Sequence, residues 1–358
     1  MKIHEKYINR CIELAKNGFG ATYPNPLVGA VIVYDDAIIG EGWHQKAGEP
    51  HAEVQAINSV KNKKLLKKST IYVNLEPCSH YGKTPPCSDL IVRSKIPNVV
   101  IGALDTNSLV GGKGVEHLKK NGCNVEIGIL EKDCLELNKR FYTFHNKKRP
   151  FIILKWAESN DGFMDVVRDI IGIEDAKPTW ISNPYSRQLV HQWRTEEQAI
   201  IAGTETVLKD NPKLDVRNMV GNNPIRIILD RTFRIPIDYN IFDGSVKTIV
   251  LVDNSTTVNP PYFNIPNLIV EPINFNENVV EQLMQVLFNH EIQSVIVEGG
   301  KMLFNSFIQQ NFWDEARVFV GSPTFVNGVK APSIKGIKVQ ESRIFDDTLT
   351  IYQNASIL

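Results

Sequence analysis

Short, charge-free runs of β-branched residues recur along this chain, and amphipathic stretches separate them. The run at residues 28–33 predicts a strand buried on both faces, since a half-exposed strand would alternate apolar with polar residues. Residues 5–17 carry apolar side chains at helical spacing and end at Gly18, which predicts a helix with Cys11 in the core. Alternation of this kind predicts the α/β fold class, a sheet covered by helices.

The same alternation continues through both halves of the chain. In the first half it predicts strands at residues 71–75 and 99–103, and helices at residues 51–60, after Pro86 and ending at Gly122. In the second half, Asn183 and Pro184 are typical of the N-cap and first residue of a helix. Further strands are predicted at residues 199–202, 225–229, 248–252, 295–297 and 316–320.

A short basic segment, residues 144–150, ends at Pro150, and the apolar run 151–154 begins directly after it. Such a change of composition is typical of a domain junction. A chain of 358 residues also suits two domains of about 100–200 residues each. We therefore expect one domain at residues 1–146 and a second at residues 147–358.

The charge balance excludes several classes of protein. With 40 basic and 40 acidic side chains the chain lacks the excess positive charge of proteins that follow a nucleic-acid backbone. It shows neither a signal-peptide core nor a long apolar stretch, so we expect a cytoplasmic protein without a membrane segment. Five cysteines, an odd count, argue against a disulfide framework and leave metal binding or burial to explain them.

His51 and Glu53 open a predicted helix, and Cys78 and Cys87 follow the predicted strand at residues 71–75. One imidazole and two thiolates provide three zinc ligands and leave the fourth position to water, the pattern of a catalytic site. Zinc lowers the pKa of that water to about 7, and Glu53, a carboxylate that is not a ligand, suits proton transfer. Zinc nucleobase deaminases use this arrangement, so we predict one zinc ion per chain.

A structural zinc site or a pair of buried thiols is the alternative interpretation of the same residues. Taken singly, a His-Ala-Glu triplet is more often helix surface, and two cysteines nine positions apart are usually structural. The triplet lies at the start of a predicted helix and the two cysteines follow a predicted strand, and this combination favours the deaminase interpretation. Cys123 and Cys134 lie outside the group and are interpreted as packing residues.

Three segments together resemble the deaminase half of the bifunctional riboflavin-biosynthesis deaminase-reductase family: residues 25–29, 42–53 and 76–87. The insert His-Tyr-Gly-Lys-Thr-Pro-Pro between Cys78 and Cys87 separates this family from cytidine and tRNA-adenosine deaminases. The resemblance implies a cytidine-deaminase-like, three-layer α/β/α domain. It also implies that four residues surround the pyrimidine ring and ribose phosphate of the substrate: Asn25, His44, His80 and Lys83. An amide suits a ring edge and a lysine suits phosphate, although Asn25 is alternatively a turn residue before proline.

No G-x-G-x-x-G follows a predicted strand in the second half, so the sequence does not predict a Rossmann dinucleotide site. The strand at residues 295–297 instead runs into Glu298, Gly299 and Gly300 and then an amphipathic helix. Such a turn lets backbone amides at a helix N-terminus approach a phosphate. An ordinary tight turn is the alternative.

The second half also resembles the reductase half of the same family, through residues 155–162, 180–182, 193–196, 203–217 and 297–300. That half is similar to dihydrofolate reductase in fold and uses NADPH. The resemblance implies nucleotide contacts from Ala157, Trp180, Thr206, Asp210, Gly300, Lys301, Met302, Leu303, Phe304, Asn305 and Ser306. It implies contacts with the phosphoribosylaminouracil from Arg194, Leu214, Arg217 and Glu298. Two arginines suit a phosphate through bidentate hydrogen bonds, and a surface salt bridge is their alternative.

Parts of both halves depart from the family pattern. Residues 105–108 read Asp-Thr-Asn-Ser where the family more often has Asp-Pro-Asn-Pro, and the loss of two prolines loosens the backbone. Asn160 and Pro178 differ from the usual residues as well, and residues 164–177 have no assignable counterpart.

The resemblance implies a bifunctional enzyme of riboflavin biosynthesis. Zinc-dependent deamination of 2,5-diamino-6-(5-phosphoribosylamino)pyrimidin-4(3H)-one would precede NADPH-dependent reduction of 5-amino-6-(5-phosphoribosylamino)uracil to the ribitylamino product. One alternative is a nucleoside or tRNA deaminase fused to a reductase-like module, and another is a zinc deaminase fused to a non-catalytic nucleotide-binding or assembly domain. We expect small phosphoribosylated pyrimidines as ligands, no nucleic acid or membrane partner, and a homo-oligomer, either a dimer or a tetramer.

Overall fold

The computed structural model describes residues 3–79, 85–105, 111–168, 173–217, 219–257, 262 and 264–357. Its contacts divide the chain into two compact units, Met1–Lys148 and Arg149–Leu358. Within the described ranges no helix combines the length and the apolar character needed to cross a bilayer.

The first unit contains one mixed sheet and its covering helices. Its helices are α1 (Ile3–Lys16), α2 (Ala52–Ser59), α3 (Cys87–Arg93), α4 (Lys113–Lys120), α5 (Glu131–Leu137) and α6 (Lys139–Lys147). Its strands are β1 (Gly29–Tyr34), β2 (Ala37–Trp43), β3 (Thr70–Leu75), β4 (Asn98–Ala103) and β5 (Asn124–Ile127). They pair in the order β2-β1-β3-β4-β5, with β1 antiparallel to its neighbours and β3, β4 and β5 parallel.

Helices cover both faces of this sheet. Ala56 of α2, Ile91 of α3 and Leu118 of α4 pack in one buried cluster. Cys11 of α1 and Cys134 of α5 pack in a separate cluster with the alternate side chains of the strands. The structure thereby confirms the expected three-layer α/β/α arrangement and the placement of Cys11 in the core.

The second unit is built on a larger sheet. Its helices include α7 (Pro184–Glu196), α8 (Thr204–Asp210), α9 (Val279–Asn289) and α10 (Lys301–Gln309). Its strands include β6 (Phe151–Glu158), β7 (Phe163–Asp165), β8 (Ala199–Gly203), β9 (Ile225–Leu229), β10 (Thr248–Asp253), β11 (Leu268–Ile273), β12 (Ser294–Val297), β13 (Glu315–Val320), β14 (Val329–Lys330), β15 (Gly336–Ile344) and β16 (Asp347–Asn354). As far as the chain is described, the main sheet has the order β11-β10-β9-β8-β12-β6-β13-β16-β15, and β14 pairs with β7.

The strands from β11 to β13 run parallel, and β16 and β15 complete the sheet as an antiparallel pair. Alternate side chains of β6 enter different clusters, Ile152 on one face and Ile153 on the other. This two-sided burial explains why the central parallel strands are apolar runs, whereas the edge strand β11 is only partly buried. Helix α7 begins where predicted, because the Asn183 side chain accepts a hydrogen bond from the Ser186 N–H at 3.0 Å.

The sequence patterns did not predict the edge strands β2 and β15. Most residues of β15 are exposed, and β2 is exposed at its start and carries two glycines. An antiparallel strand that faces water on one side has no continuous apolar run, and these two strands also lack a clean alternation of apolar and polar residues.

The basic segment at residues 144–150 is more ordered than a linker. Helix α6 continues through it as far as Lys147. Arg149 belongs to the second unit, where its guanidinium donates to both carboxylate oxygens of Asp314 at 2.6 and 2.8 Å. Asp314 also accepts a hydrogen bond from the Ile152 N–H at 2.8 Å. Arg149 therefore anchors the start of β6.

A substitution at Gly29 would test how closely α1 packs on β1. A Cβ built on Gly29 would lie 2.1 Å from the carbonyl oxygen of Cys11 and 3.0 Å from the amide nitrogen of Ala15. Because these are backbone atoms, we expect Gly29→Ala to lower the free energy of unfolding of the first unit by about 1–3 kcal/mol, measured by calorimetry. Gly203→Ala is the control, since a Cβ there meets nothing within 4 Å. Equal unfolding temperatures for Gly29→Ala and the unchanged protein would contradict the expectation.

Candidate functional sites

The three predicted metal ligands come together in the first unit. His51 is the N-cap of α2, Cys78 follows β3, and Cys87 is the first residue of α3. The Nδ1 atom of His51 lies 3.6 Å from Sγ of Cys78 and 3.3 Å from Sγ of Cys87. All three donor atoms lie within 4.8 Å of one another.

These distances fit a zinc ion. A tetrahedral zinc with Zn–S bonds of about 2.3 Å and Zn–N bonds of about 2.0 Å separates its sulfur and nitrogen ligands by about 3.5 Å. Two thiols and an imidazole suit zinc better than magnesium or calcium, which prefer oxygen ligands. The cluster can therefore hold a zinc ion through three protein ligands.

The thiols of Cys78 and Cys87 shift each other's pKa in opposite directions. Hydrogen bonds from Cys87, from its thiol and its backbone N–H, together with His51, lower the pKa of Cys78 below that of an ordinary thiol. The resulting thiolate of Cys78, together with burial, raises the pKa of Cys87. A divalent cation between them would favour the charged form of both thiols, as zinc coordination requires.

Glu53 lies in the first turn of α2 and is 3% exposed. Burial raises the pKa of its carboxyl group to about 7, and the nearby Cys78 thiolate adds to this effect. A hydrogen bond places the carboxyl group beside Cys87. A carboxyl group with a pKa near neutrality can both accept and donate a proton, the role predicted for Glu53.

Two of the predicted deaminase substrate residues lie beside this cluster. The Nδ2 atom of Asn25 is 3.0 Å from Nε2 of His44, whose ring centroid is 5.3 Å from that of His51. Burial lowers the pKa of His44, which favours the neutral imidazole. His80 and Lys83 lie outside the described residues.

The sequence analysis missed Glu76, a buried carboxylate directly after β3. It accepts hydrogen bonds at 2.9–3.3 Å from the backbone N–H groups of Asp105, Gly112, Gly114 and Val115. Helix α4 comes so close that a Cβ on Gly114 would lie 2.2 Å from the carbonyl oxygen of Pro77. Glu76 therefore fixes the backbone that leads to Cys78. An acidic residue directly after a buried strand was the available signal.

In the second unit, Arg194 of α7 and Glu298, which follows β12, form an ion pair. The Nη2 of Arg194 lies 2.8 Å from Oε2 of Glu298, and its Nε lies 3.4 Å from Oε1. Lys155 of β6, the strand that also carries Ala157, approaches the same carboxylate at 4.0 Å. Burial alone would raise the pKa of Glu298, but Arg194 and Lys155 lower it to about 2. Glu298 is therefore ionised at neutral pH.

Residues 214–217 lie next to this pair, since Nη1 of Arg194 donates to the carbonyl oxygen of Asp215 at 3.0 Å. Leu214 is 2% exposed and packs in the core with Val207. Arg217 differs, because 44% of its side chain is exposed and its nearest carboxylate, Asp215, is 3.6 Å away. The guanidinium of Arg217 is thus accessible to a ligand.

Gly300 is the N-cap of α10. Because glycine has no side chain, no side-chain hydrogen bond caps the start of this helix. A Cβ on Gly300 would lie 3.4 Å from Oγ1 of Thr206, so these two predicted cofactor residues are neighbours. Phe304 is 1% exposed and packs against Trp156, with ring centroids 5.6 Å apart, so its side chain belongs to the core. Met302 on the same helix is 82% exposed.

Asp210 and Trp180 each have a cationic partner. Asp210 accepts a hydrogen bond from Arg168, which also lies 3.3 Å from a carboxylate oxygen of Asp165. Arg168 belongs to residues 164–177, which had no assignable counterpart, so no sequence signal pointed to it. Trp180 is 59% exposed, and the Arg187 guanidinium lies 4.5 Å from its ring centroid.

Comparisons with known proteins match both units. Residues 1–103 match the cytidine and deoxycytidylate deaminase zinc-binding region, and residues 150–348 match the RibD C-terminal domain. The riboflavin biosynthesis protein RibD of Aquifex aeolicus is 36% identical over 345 residues, which are 95% of this chain and 93% of that protein. RibD of Bacillus amyloliquefaciens is 38% identical over 335 residues, 93% of this chain and 88% of that protein.

Solved structures agree over nearly the full length. The crystal structure of a diaminohydroxyphosphoribosylaminopyrimidine deaminase/5-amino-6-(5-phosphoribosylamino)uracil reductase from Thermotoga maritima has a TM-score of 0.86 at 35% identity and covers 99% of both chains. RibD from Acinetobacter baumannii has a TM-score of 0.88 at 32% identity and covers 98% of this chain and 99% of that one. These matches confirm the expected fold, with a zinc deaminase domain followed by an NADPH-dependent reductase domain. With such agreement across both units, the chain belongs to the RibD family of bifunctional riboflavin-biosynthesis enzymes.

Proposed function

We propose that the first unit releases the C2 amino group of 2,5-diamino-6-(5-phosphoribosylamino)pyrimidin-4(3H)-one as ammonia. The second unit then reduces the product, 5-amino-6-(5-phosphoribosylamino)uracil, to its ribitylamino form with NADPH. The observation that carries the proposal is the approach of His51, Cys78 and Cys87 to within 4.8 Å, with the buried Glu53 beside them. The activities named for the Thermotoga maritima protein support this pair of substrates.

In the deaminase, His51, Cys78 and Cys87 would hold a zinc ion, which would act as a Lewis acid and lower the pKa of water to about 7. Glu53 accepts the proton of the attacking water and donates a proton to the departing amine, which its pKa of about 7 allows. This role makes Glu53 the catalytic acid-base.

Substrate binding in the deaminase is assigned to Asn25, His44, His80 and Lys83. The contact between Asn25 and His44, close to the ring of His51, supports a role for both in reading the edge of the pyrimidine. Lys83 would meet the ribose phosphate through its charge.

In the reductase, the substrate residues are Arg194, Leu214, Arg217 and Glu298. The ionised Glu298 can accept hydrogen bonds from sugar hydroxyls, and Arg194 holds it in place. Arg217 suits the phosphate, because its guanidinium is accessible and offers a planar pair of donors. The main contribution of the protein is to hold the reacting groups at short distance.

NADPH supplies the hydride when bound, and the proposed cofactor residues are Ala157, Trp180, Thr206, Asp210 and residues 300–306. The uncapped N-terminus of α10 offers backbone N–H groups that suit a phosphate. The proximity of Thr206 to Gly300 supports one continuous binding surface.

We assign the deaminase to residues 1–146 and the reductase to residues 147–358, an assignment supported by the compact units Met1–Lys148 and Arg149–Leu358. We further propose that the enzyme works in the cytoplasm as a homo-oligomer, a dimer or a tetramer, on small substrates and not on nucleic acid. The cysteines, all of them free thiols, suit a reducing compartment.

Glu53→Gln should separate metal binding from proton transfer. The substitution keeps the size of the side chain but removes its titratable group, so we expect about one zinc per chain and a loss of deamination of about 10²-fold or more. Metal analysis and ammonia release provide the measurements. Glu13→Gln, an exposed carboxylate on α1, is the control and should retain activity. Ammonia release by Glu53→Gln at the unchanged rate would remove Glu53 from the mechanism.

Cys87→Ser should separate the two activities. Loss of a zinc ligand abolishes deamination, while NADPH oxidation with supplied deaminated intermediate continues, because the reductase residues lie in the other unit. Cys123→Ser, a cysteine outside the cluster, should retain both activities. A folded Cys87→Ser protein that has lost both activities would indicate one shared site.

Arg217→Lys tests the phosphate contact of the reductase. The charge is kept but the bidentate geometry is lost, so we expect kcat/KM for the uracil substrate to fall by about tenfold to a hundredfold. The KM for NADPH should not change. Arg343→Lys, an exposed arginine of the same unit, is the control. A raised KM for NADPH with an unchanged KM for the substrate would place Arg217 in the cofactor site instead.

A further inference from the structure

Two buried asparagines replace a strand partner at the start of β1. The pairing of β1 with β3 runs from Ala30 opposite Val73 to Val33 opposite Thr70. Before Ala30, on the side that faces β3, side chains bond the backbone of the chain instead. The Gly29 N–H donates to Oδ1 of Asn74, the residue after Val73, at 2.7 Å.

Leu27 is bonded through both of its backbone polar groups. Its N–H donates to Oδ1 of Asn138 at 2.8 Å. Its carbonyl oxygen accepts from Nδ2 of Asn138 at 2.9 Å and from Nδ2 of Asn74 at 3.0 Å. Asn138 is 3% exposed and Asn74 fully buried, so water does not provide alternative partners at either amide.

Asn138 occupies the N-cap position of α6, where an asparagine side chain normally bonds to the helix backbone. In this chain it makes no cap hydrogen bond. Its amide is directed to Leu27, 111 residues earlier in the sequence. The position gives up local helix capping for a long-range contact.

This contact lies beside the proposed substrate residues. Leu27 follows Asn25 by two positions, and the carbonyl oxygen of the next residue, Val28, accepts a hydrogen bond from the His44 N–H at 2.9 Å. The segment is therefore held by Asn138 on one side and by the backbone of His44 on the other. Asn25, directly before this held segment and Pro26, has its Nδ2 atom 3.0 Å from Nε2 of His44.

We propose that Asn138 is a positioning residue for the deaminase substrate, since it fixes Leu27 and thereby the amide of Asn25 next to His44. The inference rests on the proposed function, in which Asn25 and His44 read the pyrimidine edge. Asn138 lies beyond residues 1–103, the part that matches the deaminase zinc-binding region. The substrate site of the deaminase is therefore completed by the last part of the first unit.

The test uses Asn138→Asp in the full chain. Aspartate keeps the shape of the side chain and an acceptor for the Leu27 N–H, but it opposes the Leu27 carbonyl with a second oxygen. We expect the KM for the diaminopyrimidinone to rise by about tenfold or more, since the buried hydrogen bond from Asn138 to the Leu27 carbonyl is replaced by repulsion between two oxygens. Zinc content should stay at about one per chain, and NADPH oxidation with supplied intermediate should not change. Asn58→Asp, an exposed asparagine on α2, is the control.

Asn138→Ala provides a second variant that introduces no buried charge. A purely structural role predicts less zinc and a lower unfolding temperature at an unchanged KM, and that result in either variant would overturn the proposal. Failure of both variants to fold would overturn it as well, because stability alone would then explain the residue. If the unchanged protein does not deaminate the diaminopyrimidinone, the proposed function fails. If it does, and both variants keep its KM, only the role of Asn138 fails.

Discussion

Parallel strand pairing determines where the chemistry lies in both units. β3 pairs parallel with β4, and β12 pairs parallel with β6 and β8. Parallel strands end at a common edge, where loops and helix N-termini gather and ligands bind. Cys78 follows the end of β3, and Glu298 follows β12 directly. Two different chemistries thus depend on the same feature of sheet construction, a buried strand whose carboxyl end presents polar side chains.

The two sites use buried carboxyl groups in opposite ways. Burial raises the pKa of Glu53 to about 7, which leaves its proton exchangeable near neutral pH. Arg194 and Lys155 lower the pKa of Glu298 to about 2, which keeps it charged. The carboxyl group proposed to transfer protons therefore lies beside thiols, and the one proposed to bind the sugar lies beside cations. The difference between the sites arises from the neighbours of each carboxylate and not from the residue type.

Local patterns predicted the parts of the molecule that depend on short stretches of chain. The zinc ligands and Glu53 belong to compact motifs, and the central parallel strands are apolar runs, so both were predicted, whereas the parallel edge strands β5 and β11 were not. Glu76, Asn138 and Arg168 were not. Glu76 and Asn138 bind backbone groups that are distant in sequence, and a backbone N–H has no signature in the residue type. Arg168 lies in a stretch without a counterpart in the family pattern. Its partner, Asp210, is likewise distant from it in sequence.

The ion pair of Arg149 with Asp314 restricts how a gene for this chain can be divided. A break after Arg149 removes the guanidinium and leaves a carboxylate buried without its counter-charge, which is strongly destabilising. A break before Asn138 separates that amide from Leu27. Helix α6 occupies most of the interval between the two positions. A fission point that yields two separately translated enzymes with intact secondary structure is thereby confined to the turn at Lys148.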